Sequence, residues 1–137
     1  MAYDPNELFS TTLVGKGLRF YPTIVRPKTF AGGTALIKKG TPVAKHTSGG
    51  SDTLWAEWDS DGATGLQVLE GFAWPDDIQL ISGKEVLGNV MLAGKLHYAD
   101  IVLPTSGAEN ATTLNAELRS QDFRAKGFDI DGLSAML

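Results

Sequence analysis

Backbone punctuation constrains this chain more than any other feature. Sixteen glycines and six prolines are spread through 137 residues. Glycine weakens helices, proline breaks them, and both sit readily in turns. Punctuation at this density favours many short strands over long helices. The expected class is mainly β (α+β): a small β-barrel or β-sandwich-like domain with one C-terminal helix and an extended N-terminal arm.

The core is expected between Asp52 and Leu103. Leu54-Trp55-Ala56-Glu57-Trp58 alternates on a two-residue period, as does part of Leu66 to Phe72. Ile78-Gln79-Leu80-Ile81 reads as a strand stopped by Ser82-Gly83-Lys84. Val86 to Gly94 is apolar and contains two glycines, which in a strand suggest bulges or sharp bends. His97 to Leu103 runs extended towards Pro104. Before the core, Thr34-Ala35-Leu36-Ile37 and Val43-Ala44-Lys45-His46 read as short strands flanking a turn. With 42% hydrophobic and 20% charged residues, this middle should fold.

One helix is expected over about residues 113–126, within an amphipathic stretch that begins at Ala111. Thr112 or Thr113 can cap its start, and Gly127 stops it. Leu114, Leu118 and Ala125 share a face. Arg124 and Lys126 in the last turn complement the helix dipole. Helical geometry places Phe123 opposite Leu114, a candidate contact to a neighbouring subunit together with the tail Met136 and Leu137. Residues 128–137 can add one more strand.

Residues 1–30 read differently and form the expected arm, leaving 31–137 as the single domain. Pro5, Pro22 and Pro27 interrupt any helix or central strand, and the apolar residues have no packing period. Charge is asymmetric as well. Residues 1–50 hold seven Lys/Arg against Asp4 and Glu7, whereas the remainder is strongly acidic, for a net charge of -4. A basic segment with scattered aromatics suits docking on a larger, acidic surface. The candidate contact residues are Phe9, Leu13, Val14, Lys16, Arg19, Phe20, Tyr21, Arg26 and Lys28.

Catalytic constellations are hard to assemble. The chain has no cysteine, which removes disulfides, thiolate metal sites and a cysteine nucleophile. His46 and His97 lack metal-ligand spacing. Ser48, His46 and Asp52 lie close in sequence but without a nucleophile elbow. Asp59-Ser60-Asp61-Gly62 lacks the later ligands of a calcium loop and reads as an Asx turn. Gly15-Lys16-Gly17 lacks phosphate-loop spacing. No enzyme activity, cofactor, metal or small-molecule substrate is expected. The net negative charge argues against nucleic acid. The first seven residues do not read as a signal peptide, and no stretch suits a membrane helix, so the cytoplasm of the cell that makes the chain is the expected compartment.

Two runs carry a resemblance. Glu70-Gly71-Phe72-Ala73-Trp74-Pro75-Asp76-Asp77 and Glu85-Val86-Leu87-Gly88-Asn89 through His97-Tyr98-Ala99-Asp100-Ile101 resemble head-decoration (cement) proteins of tailed bacteriophages, in kind the lambda-like decoration family. The ending from Leu118-Arg119 to Gly132-Leu133 resembles their helix-then-strand finish. The likeness covers roughly residues 30–137. It implies a structural virion protein, a homotrimer on the outer capsid surface at three-fold and quasi-three-fold positions. Its partner is the major capsid protein, and its N-terminal arm becomes ordered on binding. The alternative is a β-barrel carbohydrate- or other surface-binding module, such as a head-fibre base; Trp55 and Trp58 prompt that reading.

Overall fold

A computed structural model describes residues 18–105 and 109–133. Among the described residues, eight strands and two short helices follow one another: β1 (Phe20–Phe30), β2 (Leu36–Ile37), β3 (Pro42–Lys45), β4 (Trp55–Glu57), β5 (Gly71–Ala73), β6 (Ile78–Gln79), β7 (Val86–His97), α1 (Ala111–Leu118), α2 (Gln121–Arg124) and β8 (Phe128–Asp131). A 3-10 turn, Tyr98–Asp100, follows β7. The class is mainly β with C-terminal helical structure.

The strands form a ring. The order β1-β4-β3-β5-β7 is closed by pairing between β7 and β1, and β8 joins β7 in parallel. Adjacent strand residues point to opposite faces, and here they sort into two cores. Phe30, Val43, Trp55, Ala73 and Val90 come from all five ring strands and fill the barrel interior. Ile37 and Ile78 of the β2–β6 pair join them. Gly88 leaves the room for Ile78: a Cβ there would meet its Cδ1 at 2.5 Å. The other parity, Ala44, Phe72 and Met91, faces outward under Leu114, Leu118 and Phe123 of the helical layer. Trp58 and Leu69 complete this second core.

The arm expected over residues 1–30 does not include residues 20–30. Residues 20–30 are not an appendage but β1, paired antiparallel along β7 from Phe20↔Leu96 to Phe30↔Val86. Phe20 and Phe30 are buried, one in each core. Pro22 and Pro27 are tolerated because β1 has β7 along one side and touches β4 only at its end, Phe30↔Trp55. Near Pro22 the ladder shifts register on both sides of Ile24. Opposite it, Gly94 adopts φ 135°, and a Cβ there would meet the Tyr21 carbonyl at 2.5 Å. Only glycine suits that bulge.

The expected single helix is two. Asn110, not Thr112 or Thr113, caps α1; its side chain accepts from the Thr113 amide while Thr113 returns a bond to the Asn110 amide. The helix stops at Leu118. Ser120 then accepts from the Phe123 amide and starts α2. That break resets the direction in which side chains point. Phe123 is therefore 2% exposed, stacked on Phe128 at 5.0 Å and edge-on to Phe72 at 6.3 Å. It is a core residue of its own domain rather than a subunit contact. The stretch from His97 to Leu103 also departs from expectation: β7 ends at His97 and the chain turns.

Candidate docking surface

The residues singled out for docking divide into three groups. Phe9, Leu13, Val14 and Lys16 lie outside the described residues, as do Met136 and Leu137. Phe20 is buried, stacked on Trp74 at 4.8 Å, and serves the fold. Arg19, Tyr21, Arg26 and Lys28 remain, all at the start of or along β1.

Arg19 is committed to an internal partner. Its Nε donates to Asp100 Oδ2 at 2.7 Å, a guanidinium Nη to Oδ1 at 3.2 Å, and its backbone amide to Oδ2 at 2.9 Å. This bidentate hydrogen bond holds the Asp100 carboxyl below the usual carboxylate range and raises the guanidinium further. The Arg19 carbonyl accepts from the His97 amide. His97 Nδ1 in turn accepts from the Ala99 amide and caps the turn that presents Asp100. Arg19 therefore ties the root of β1 to the end of β7. Nothing in the sequence marked Asp100 for this role, since it lies 81 positions away.

Tyr21, 53% exposed, borders an open cleft of about 440 Å³ with Arg19, Lys95, His97 and Asp131. Lys95 reaches Asp131 at 3.2 Å across its rim, an exposed pair. At the other end of β1, Lys28 Nζ stands 5.6 Å from the Trp55 ring centre, a cation–π contact. Arg26 is exposed and donates to the neighbouring Val25 carbonyl at 3.2 Å. Between residues 18 and 50 the charged side chains are all basic: Arg19, Arg26, Lys28, Lys38, Lys39 and Lys45.

Alternation decides what else β1 presents. Cross-strand partners share a face, so Val25, Pro27 and Thr29 lie on the face of Met91, Asn89 and Leu87. This is the barrel's outer face. The helical layer covers it at Phe20, Met91 and Leu96 and stops there. Beyond that layer Ile24 is 39% and Leu87 75% exposed. Leu87 was read only as part of an apolar core run; no local signal separates it from Met91.

Several other chemistry-bearing side chains serve the fold. His46 Nδ1 lies 2.7 Å from Thr64 Oγ1. Asp59 accepts from the Asp61 amide at 3.0 Å, the Asx turn expected there. Glu109, buried and not foreseen, accepts from the Ser60 amide and hydroxyl, each at 2.8 Å. Burial raises the Glu117 carboxyl. Trp55 and Trp58 are both buried, so neither offers a face to a sugar ring. Among the described residues, no three His, Asp or Glu side chains are grouped to hold a metal ion, and no helix is long and apolar enough to cross a membrane. No family model matches the chain, and a search of curated proteins finds no match.

Proposed function

We propose that this chain is a decoration protein that binds the outer surface of an expanded phage capsid, as trimers at three-fold and quasi-three-fold positions, and stabilises the shell against internal pressure. The observation that carries this reading is the basic, partly apolar strand β1, held at its root by the Arg19–Asp100 pair and continuous with the seventeen residues before Leu18. The resemblance supports it, since the two runs that carry it supply β5, β7 and the turn bearing Asp100. Residues 1–17 act as the arm that reaches the neighbouring capsid subunit, and the barrel acts as its rigid mount.

The mechanism is mass action. A ligand that binds the expanded shell and not its compact or broken forms stabilises it, by about 2.7 kcal/mol per site at a hundred times Kd. Repetition over a lattice multiplies that effect. The test mixes the purified protein with compact and expanded shells of a tailed-phage major capsid protein. Saturable binding to expanded shells only, with a higher disruption temperature, is expected; no binding to expanded shells overturns the reading. Deleting residues 2–17 should leave the barrel folded and weaken attachment. The deletion stops there because Leu18 packs against the outer core and Phe20 belongs to it.

A further inference from the structure

The uncovered half of the β1–β7 outer face is built like a strand acceptor. It combines an apolar row with an open strand edge, and a cation stands on the other face of the same strand. The row is Ile24, Val25 and Pro27 on β1 beside Leu87 on β7. Large exposed apolar groups gathered in one place mark contact surfaces more often than singly scattered ones do.

The edge follows from the ladder. In an antiparallel pair, alternate residues exchange bonds with the partner, and those between them aim their amides and carbonyls the other way. Pro27 has no N–H for β7, so the set containing Val25, Pro27 and Thr29 faces away from it. On that far side β4 reaches β1 only at Phe30. The parallel bridge between Phe30 and Trp55 takes up the Thr29 carbonyl, which leaves the Val25 and Thr29 amides and the Pro27 carbonyl for an added strand. The Val25 carbonyl accepts from the Arg26 guanidinium at 3.2 Å. Pro27 removes one donor from the middle of the edge, which discourages indiscriminate pairing.

Charge selects the occupant. Arg26 lies on this strand, exposed, and no acidic residue occurs between positions 18 and 50. The cleft bordering Pro27 and Thr29 of this edge holds Lys28 and Lys45 alongside Asp52 and Glu85, so Arg26 is the cation in excess. We propose that this edge and row dock an extended acidic segment of the capsid subunit, which adds a strand to β1, places alternate apolar side chains against Leu87 and Val25, and pairs a carboxylate with Arg26. The proposal rests on the capsid-binding reading and supplies a second contact, separate from residues 1–17.

The test measures binding to expanded shells by the full chain, Leu87→Glu and Arg26→Glu, with hydrogen exchange on the bound full chain. Both side chains are exposed, so the variants should melt like the parent. Each is expected to bind at least about tenfold more weakly, a loss of roughly 1.4 kcal/mol, and the Thr29 amide should exchange more slowly on the shell. Variants that bind within about twofold of the parent, or a Thr29 amide unchanged on binding, overturn the proposal while capsid binding stands. A parent chain that does not bind shells removes the functional reading and this proposal together. A free protein whose self-association is abolished by Leu87→Glu shows that the strip joins copies of this chain instead, which also overturns it.

Discussion

The two halves of the β1–β7 ribbon have the same backbone and opposite fates. In one half, Phe20, Met91 and Leu96 lie beneath Phe123, Leu114 and Leu118. In the other, Ile24 and Leu87 continue the same outer face with nothing described above them. Leu87 and Met91 share a strand, an apolar character and a parity. What separates them is the reach of α1, α2 and β8, which stop short of the barrel's far end. Apolar residues in a strand therefore divide between folding and contact according to a layer supplied from elsewhere in the chain.

Phe123 and Leu87 give the sharpest contrast in stability. Phe123→Ala removes a fully buried ring from an aromatic trio and should cost about 3–5 kcal/mol. Leu87→Ala should stay within about 0.5 kcal/mol, as exposed substitutions do. Urea denaturation of both variants measures the difference. Comparable losses would mean that the bare half is packed in solution.

The boundary between the halves should resist change as well. Gly94→Ala places a Cβ against the Tyr21 carbonyl at positive φ. A loss of roughly 1–3 kcal/mol is expected in thermal unfolding. A neutral result would show that the bulge can relax. Removing the cap of the covering layer is milder: Asn110→Ala should cost about 1 kcal/mol. Exchange of α1 amides should quicken while the barrel amides stay protected.

The smallest effect concerns pH. Asp100 has a folded pKa below its unfolded one, chiefly through the Arg19 side-chain hydrogen bond. Its stabilisation is present above the ordinary carboxylate range and is lost as pH falls through the lowered value. Asp100→Asn should flatten that part of the stability–pH profile. Glu117 has the opposite sign. Burial raises its pKa, so its favourable contribution exists below the unfolded value and is lost as pH rises through the folded one. Glu117→Gln should be slightly more stable than the parent at neutral pH, and a less stable variant would point instead to its contact with Ser120.

Several elements were legible in the residues because their signals are local. Turn-forming glycines and two-residue alternation located β3, β4, β6 and β7, and Asp59 announced its own turn. The mainly β class follows from the same punctuation. The C-terminal helical region was legible too, but its break was not. Ser120 differs little from other polar helix residues until its hydroxyl is seen bonding the Glu117 carbonyl and the Phe123 amide.

The misread region is β1. Two prolines and irregular apolar spacing looked like an arm because they forbid a central strand paired on both sides. They do not forbid a strand paired on one side, and β7 supplies that side from a distant part of the chain, from Phe30↔Val86 to Phe20↔Leu96. The same holds for Arg19, whose charge suggested a free docking group until Asp100 was brought beside it. Composition and alternation act between neighbours in the chain, and they determined the class, the turns and most strands. Ring closure, the reach of the helical layer and the partner of each charge depend on contacts between distant segments. Those contacts form only when loop closure and burial are settled together, so no local pattern records them.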